Sequence, residues 1–157
     1  MLHFDVSQPV AGKACIEINK PVTDVFRFVG EKFFDNYPKW ALEVSDFKPL
    51  TGSGIFVGAK ARQTRLEEDQ KVESVLEVSE FEPAKKVVLT GVGAPFRHTY
   101  QFSGKEGQDV TELEYSFEII GLEPFMWPFE RLIRTAIEEG AENTVENIKY
   151  LMNDEPK

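Results

Sequence analysis

The sequence has little of several residue types on which common protein functions depend. It contains one cysteine and two histidines in 157 residues, so an intramolecular disulfide is excluded and a histidine or cysteine metal site is not expected. The cysteine, Cys15, lies in the apolar stretch Ala14–Ile18, where we expect a buried and unreactive thiol. No apolar run approaches the roughly 18 residues that a membrane-spanning helix needs.

Positive charge is also scarce. The chain has 18 Lys and Arg against 27 Asp and Glu, a formal net charge of −9, and no cluster of basic residues. Because nucleic-acid backbones and anionic membrane surfaces are bound through basic patches, we expect neither as a partner. Residues 1–13 lack a basic segment followed by a long apolar run, so we expect no secretory signal and a cytoplasmic protein.

Motifs for covalent or phosphate chemistry are missing as well. There is no Gly-x-Ser-x-Gly motif, and the glycine pairs Gly52/Gly54 and Gly91/Gly93 are followed by no helix start that could hold a phosphate. The sequence therefore predicts no catalytic residue, no metal and no cofactor.

What the sequence does contain is a series of short strands followed by one long amphipathic helix. The last strand shows the alternation best, with Leu113, Tyr115, Phe117 and Ile119 on one face and polar residues on the other, as in an antiparallel sheet covered on one side. Turn residues separate the runs, and the predicted strands are Ala14–Ile18, Val44–Pro49, Gly58–Leu66, Val72–Phe81, Lys86–Thr90, Phe96–Ser103 and Val110–Ile120.

The helix is predicted from Pro124 to about Met152. Steps of three and four place one apolar stripe on one side, formed by Met126, Phe129, Ile133, Ile137, Gly140, Thr144, Ile148 and Leu151. At 1.5 Å per residue such a helix is roughly 43 Å long, and only a sheet offers an apolar surface of that width here.

Two short helices complete the prediction. Pro21 opens the first and Gly30 ends it, and the second passes through Phe34 and stops before Pro38. We therefore predict an α+β fold, a curved antiparallel sheet around a long C-terminal helix, in a domain over residues 14–153 preceded by an extension at 1–13.

This order of elements resembles the START-like superfamily, which includes the Bet v 1 relatives and the polyketide cyclase/lipid-transport group. The resemblance is carried by short fragments in matching order, namely Ile16-Glu17-Ile18, Pro21, Val25-Phe26, Tyr37-Pro38-x-Trp40, Val57-Gly58-Ala59, Glu80-x-x-Pro83 and the terminal helix. It implies a helix-grip fold with a cavity between sheet and helix. Functions in the superfamily range from lipid and hormone binding to aromatic cyclisation, and no shared catalytic motif comes with it.

Candidate ligand-binding residues follow from the strand faces that point towards such a cavity. If Tyr100 points inward, then His98 does too, because side chains repeat every second residue; a structural role for this histidine in the core is the alternative. The favoured register of the third strand places Ala61 and Gln63 inside, since the other register buries Lys60 and Arg62. The neighbouring strands add Leu76, Tyr115 and Phe117.

The terminal helix contributes Phe129, Ile133, Ile137, Gly140 and Thr144 to the candidate site. Gly140 allows either close packing on the sheet or space for a ligand, and the Thr144 hydroxyl either bonds back to a helix carbonyl or contacts the ligand.

Trp40 is the remaining candidate. It either fills one end of the core or, with Phe33 and Phe34, frames the cavity entrance. The apolar cluster formed by Phe125, Met126, Trp127 and Phe129 is predicted to be a well-packed helix start, a mobile lid being the alternative.

We therefore predict that the protein binds a small hydrophobic or aromatic molecule in a cavity between sheet and C-terminal helix. Two alternatives stay open: a polyketide cyclase or dehydratase using His98 or Tyr100 as acid or base, and an acidic module that docks a basic protein. The sequence leaves the identity of the ligand and the oligomeric state open, a homodimer included.

Overall fold

The structure is a computed structural model that describes residues 9–105 and 107–153, and its strands and helices follow in the predicted order. Seven strands form one antiparallel sheet in the order β1-β7-β6-β5-β4-β3-β2. The strands are β1 Val10–Ile18, β2 Val44–Pro49, β3 Lys60–Glu67, β4 Gln70–Glu82, β5 Lys86–Gly91, β6 Phe96–Gly104 and β7 Thr111–Ile119.

The helices lie after the first strand and at the end of the chain. They are α1 Val22–Phe26, continued by a π-helical turn at Arg27–Glu31, then α2 Phe33–Trp40, a 3₁₀ helix at Pro124–Phe129, and α3 Glu130–Asn153. The predicted α+β helix-grip fold is confirmed, with β2 to β7 forming a meander and β1 pairing with β7.

The sheet is strongly curved, as contacts of α2 show. The Tyr37 hydroxyl donates to Oε1 of Gln63 on β3 at 3.0 Å. The ring of the same tyrosine lies 6.2 Å from the imidazole of His98 on β6. Two strands, β4 and β5, separate β3 from β6 in the sheet, so α2 sits within a concave surface.

The predicted inner faces are confirmed with one exception. Ala61 and Gln63 on β3 are buried, as the favoured register requires, and so are His98 and Tyr100 on β6. On β4, the alternation that turns Leu76 inward predicts that Val72 is buried as well, but Val72 is 40% exposed, because it lies close to the hairpin turn, where the strand extends beyond the core.

Several predicted boundaries are wrong. β1 begins at Val10 and pairs with β7 from Val10↔Ile119 onward, so residues 10–13 belong to the sheet and not to an extension. The rest of the predicted extension, residues 1–8, lies outside the described residues. Pairing with the distant strand β7 extends β1, and a four-residue segment that contains alanine, glycine and lysine does not reveal such pairing by its own strand propensity.

Two helix boundaries that lie near prolines differ from the prediction. α2 continues through Pro38 to Trp40, because its aromatic side chains are buried and packing outweighs one missing backbone hydrogen bond. The terminal α-helix starts only at Glu130. Before it, Pro128 lacks the N–H that an α-helix would use, and the chain forms a tighter 3₁₀ turn instead.

The prediction of a buried Cys15 is also wrong. Cys15 is exposed on the outer face of β1, and its thiol donates to Oε2 of Glu114 on β7 at 3.4 Å. Partial burial, followed by the neighbouring Glu114 carboxylate, raises the pKa of this thiol, which disfavours the reactive thiolate.

The two halves of the terminal helix contact the rest of the protein in different ways. Its C-terminal half buries Ala141, Val145, Ile148 and Met152. Its N-terminal half approaches β1 at Gly12, where a Cβ atom would lie 2.8 Å from both Cγ2 of Ile137 and the backbone nitrogen of Glu138. Glycine at this position therefore allows α3 to lie directly against the edge of the sheet.

We predict that Gly12→Ala destabilises the protein by about 1–3 kcal/mol, because a methyl group cannot fit without moving the backbone of α3. The matched control is Gly140→Ala, where a Cβ atom has no neighbour within 4 Å and helix propensity alone should stabilise by about 1 kcal/mol. Urea unfolding curves measure both changes. Equal effects of the two substitutions would contradict the close packing of α3 on β1.

Candidate functional site

A cavity of about 670 Å³ lies between the inner face of the sheet and the N-terminal half of α3. Its walls come from β6, β7 and the helix. Its rim comes from the residue before β2, the C-terminal end of β3 and the turn that follows β3. The lining residues are Glu43, Arg65, Glu67, Glu68, His98, Tyr115, Phe117, Ile133, Ala136, Ile137, Gly140, Ala141 and Thr144.

Strand alternation places the three sheet residues of the wall. His98 on β6 pairs directly with Phe117 on β7, and Tyr115 lies two residues earlier on the same face. The His98 ring packs against both, with centroid distances of 4.9 Å to Phe117 and 5.9 Å to Tyr115. The sheet therefore presents an aromatic wall with one imidazole in it.

The helix wall is formed by small or apolar residues. Ile133, Ala136 and Ile137 face the cavity in the first turns of α3, and Gly140 leaves open space where a side chain would project. The Thr144 hydroxyl donates to the carbonyl of Gly140 at 2.9 Å, as the first alternative predicted. Its hydrogen is thus used within the helix, and the wall offers mainly apolar surface.

His98 lines the cavity and carries a buried polar atom that lacks a partner. Its side chain is only 5% exposed. Its Nδ1 atom lies 2.6 Å from the hydroxyl of Tyr115, whereas its Nε2 atom is buried without any hydrogen bond. Buried polar atoms are rarely left unpaired, and this nitrogen is an exception that no described residue satisfies.

The tautomer of His98 follows from Tyr115. The Tyr115 hydroxyl is buried and has its single proton to donate, and Nδ1 of His98 is the acceptor within reach. If it donates to Nδ1, both groups are satisfied and the ring proton resides on Nε2. His98, which lines the cavity, then carries an N–H donor that no described residue pairs.

His98 is neutral in the folded protein. Burial, and to a smaller degree the charge of Arg65, lowers the pKa of His98 from 6.5 to about 3. Burial likewise raises the pKa of Tyr115 well above 10. The hydrogen bond between the two rings therefore joins neutral groups over the whole physiological pH range.

The rim of the cavity is charged. Arg65 at the end of β3 lies between two carboxylates, with 3.6 Å from its Nη2 to Oε1 of Glu43 and 4.0 Å from its Nε to Oε1 of Glu67. Its Nε atom is buried without a hydrogen bond. Glu68 follows in a two-residue hairpin loop with Asp69, both at positive φ (47° and 66°), and lines the rim as well.

The structure brings seven of the thirteen predicted site residues together around this cavity. These are His98, Tyr115, Phe117, Ile133, Ile137, Gly140 and Thr144. Their positions agree with the predicted site, and their role in binding stays a prediction.

Five of the other predicted residues lie in the packed core. Ala61 and Leu76 are fully buried. Gln63 accepts from Tyr37 and donates to Oγ of Ser74 at 3.0 Å. Facing inward was not sufficient for reaching the cavity, because α2 fills that part of the concave face.

Trp40 and Tyr100 also belong to the core. Nε1 of Trp40 donates to the Tyr100 hydroxyl at 3.2 Å, in fully buried surroundings. Phe33 packs between them, 5.8 Å from each ring. Trp40 thus fills the core, as its first alternative proposed, and it does not frame the entrance of the cavity with Phe33 and Phe34, which are buried as well.

Phe129, the thirteenth residue, is 51% exposed and lies outside the cavity. The prediction of a well-packed helix start is wrong, because no residue of the 3₁₀ helix Pro124–Phe129 is buried. Phe125 is 71% exposed in the same segment. The apolar spacing predicts one continuous α-helix through Pro128. The 3₁₀ helix found there turns its side chains in other directions, so Phe129 does not join the apolar stripe of α3.

Sequence reasoning missed the rim and two small helix residues. Arg65 lies two residues after Gln63 on β3, so strand alternation puts it on the same face, and that alternation is the available signal. Ala136 and Ala141 lie within four residues of Gly140 on α3, and their small side chains help to keep the cavity open. No sequence pattern pointed to Glu43, which is brought to the rim by the chain after α2.

Neither a cluster of metal ligands nor a membrane-spanning helix is found among the described residues. Within residues 9–105 and 107–153, no three His, Cys, Asp or Glu side chains come together as metal ligands. Among the same residues, no helix is both long and apolar enough to cross a lipid bilayer. His3, the second histidine, lies outside the described residues.

The curved sheet, the long helix and the cavity between them define a helix-grip protein of the Bet v 1-like class. A family model described as polyketide cyclase/dehydrase and lipid transport matches residues 1–152. Because that match covers nearly the whole chain, the protein belongs to this family. No curated protein matches the chain.

Solved structures of similar fold come from bacteria and plants. The protein TTHA0849 from Thermus thermophilus is 14% identical, with a TM-score of 0.72 over 92% of this chain and 99% of that one. Norcoclaurine synthase from Thalictrum flavum, solved with dopamine and hydroxybenzaldehyde, is 13% identical, with a TM-score of 0.70 over 97% and 91%. The polyketide-cyclase-like protein Cgl2372 from Corynebacterium glutamicum is 18% identical, with a TM-score of 0.64 over 92% and 93%. At these identities the similarity concerns the fold.

The buried neutral His98 makes a testable contribution to acid stability. In the unfolded chain His98 binds a proton near pH 6.5, whereas in the folded protein it binds one only near pH 3. Stability from this group is therefore complete above pH 6.5 and falls as the pH decreases through that window. Between pH 6.5 and about pH 4, we expect wild type to lose about 3 kcal/mol more than His98→Gln in urea unfolding. Parallel pH profiles of the two proteins would contradict the neutral buried state.

Proposed function

We propose that this protein binds a small hydrophobic or aromatic molecule that carries an acceptor oxygen, in the cavity between β6, β7 and α3. The observation that carries the proposal is the unpaired Nε2 atom of the buried His98, a residue that lines this cavity together with mainly apolar side chains of β7 and α3. Few polar groups in an otherwise apolar cavity are typical of sites for small organic ligands.

The apolar walls supply the binding energy in this proposal. Phe117 on the sheet and Ile133, Ala136 and Ile137 on the helix face the same space. A ligand that buries about 200 Å² of apolar surface there gains roughly 5 kcal/mol at 25 cal/mol per Å². The open side of Gly140 allows a flat ring to lie close to the helix backbone.

His98 supplies orientation. Its Nε2–H donor sits on an aromatic wall, fixed by the hydrogen bond between Nδ1 and Tyr115. A carbonyl, hydroxyl or ether oxygen of the ligand would satisfy this donor and would set the direction in which the ligand lies. A molecule without such an oxygen leaves the donor unpaired, which costs binding free energy.

Two observations favour binding over acid–base catalysis at this site. A histidine whose pKa is about 3 is a weak base at neutral pH, far from the match between pKa and pH that general catalysis needs. Tyr100, the other residue considered as acid or base, is fully buried and accepts from Trp40 outside the cavity.

We also propose a cytoplasmic location. The thiol of Cys15 is exposed and forms no disulfide, and such a thiol persists in a reducing compartment.

Filling the cavity tests the proposal directly. Gly140→Trp places a large ring into the open space, whereas the control Glu146→Trp adds the same ring to an exposed position of α3 outside the cavity. Native mass spectrometry after incubation with a hydrophobic extract should show bound species with wild type and Glu146→Trp, and none with Gly140→Trp. Absence of any bound species on wild type would refute the proposal.

The role of His98 is tested with two ligands that differ in one oxygen. We predict that acetylnaphthalene binds about tenfold more tightly than ethylnaphthalene, since one hydrogen bond is worth about 1.4 kcal/mol. His98→Leu should remove the difference, whereas Tyr100→Phe, which deletes a buried hydroxyl outside the cavity, should keep it. Isothermal titration calorimetry measures the affinities. An unchanged preference in His98→Leu would exclude His98 as the donor.

A further inference from the structure

We infer that the charged rim of the cavity selects neutral ligands and rejects anionic ones, so that carboxylates and sulfonates of suitable shape bind weakly. This inference rests on the proposed binding function and deepens it. It starts from the charged residues that line the cavity, which are Glu43, Arg65, Glu67 and Glu68. The lining of the cavity therefore contains one guanidinium group and three carboxylates.

The guanidinium of this rim is not free to attract an anion. Arg65 lies within 4.0 Å of carboxylate oxygens of both Glu43 and Glu67. These two glutamates come from different parts of the chain, one before β2 and one at the end of β3. The guanidinium is thus flanked on two sides, and an incoming anion would have to displace one of these carboxylates.

The remaining charge of the rim is negative. With Arg65 offset by one carboxylate, two of the three glutamates stay uncompensated, and Glu68 has no second cation among the lining residues. These carboxylates are exposed, so their repulsion of an incoming anion is moderate and is largest at low ionic strength, where screening is weakest. The formal net charge of −9 on the whole protein acts in the same direction.

Two unpaired donors of the site, in contrast, are suited to neutral oxygens. Nε2 of His98 and Nε of Arg65, two residues that line the cavity, are buried without a hydrogen bond. Each can donate to a carbonyl, hydroxyl or ether oxygen without bringing a negative charge near Glu43, Glu67 or Glu68.

Three fluorescent probes with one skeleton test the inference. N-phenylnaphthylamine is neutral, anilinonaphthalene sulfonate adds a negative group, and the corresponding sulfonamide is neutral but has the size of the sulfonate. In low salt we expect both neutral probes to bind at least tenfold more tightly than the sulfonate. Salt near 1 M, where the screening length is about 3 Å, should reduce the difference severalfold.

Two double variants that change the net charge by the same amount distinguish the effect of the rim carboxylates from the effect of the protein's overall charge. Glu67→Gln with Glu68→Gln should bring the sulfonate to within about threefold of the sulfonamide. The control, Glu138→Gln with Glu142→Gln, changes exposed residues of α3 that do not line this cavity, and should leave the tenfold preference intact.

The outcomes distinguish the two proposals. Equal affinity for sulfonate and sulfonamide, tighter binding of the sulfonate through Arg65, or an equal effect of both double variants would overturn the inference while leaving ligand binding in place. Failure of all three probes to bind, together with no species bound from the extract, would overturn the proposed function and the inference with it.

Discussion

The contact between Gly12 of β1 and the Ile137–Glu138 turn of α3 decides where the interior of this protein is filled and where it is open. A side chain at Gly12 would collide with both residues, so the helix lies directly on the edge of the sheet there. Its C-terminal half is then buried around Ile148, while its N-terminal half lies over the concave face without filling it. The cavity follows from this placement, because the small residue Gly140 leaves the space unoccupied.

The polar groups of the concave face separate into two kinds. Those beneath α2 are paired with one another, as the bonds Trp40–Tyr100 and Tyr37–Gln63 show. Burying polar groups in this way is tolerated because each keeps a partner. His98 differs, since one ring nitrogen is paired and the other is not. Among the described residues, the inner face therefore has an unpaired ring nitrogen on a residue that lines the cavity, and a molecule outside the chain could pair with it.

Strand faces and their order could be predicted well from the sequence, because alternation with period two depends on local burial alone. The inward direction of His98, Tyr115 and Phe117 was predicted in this way. The same rule also selected Gln63 and Tyr100, which the structure places in the core. Alternation tells which way a side chain points, but not whether α2 or open space lies opposite it.

The amino-acid sequence by itself determined the fold class, the order of the elements and the apolar stripe of the last helix, because these depend on short-range periodicity and turn residues. Only the tertiary structure decided that residues 10–13 extend β1, that Cys15 is exposed, and that Glu43 and Arg65 meet at the rim of the cavity. These features depend on contacts between residues far apart in the chain, formed when a curved sheet closes around two helices of different length.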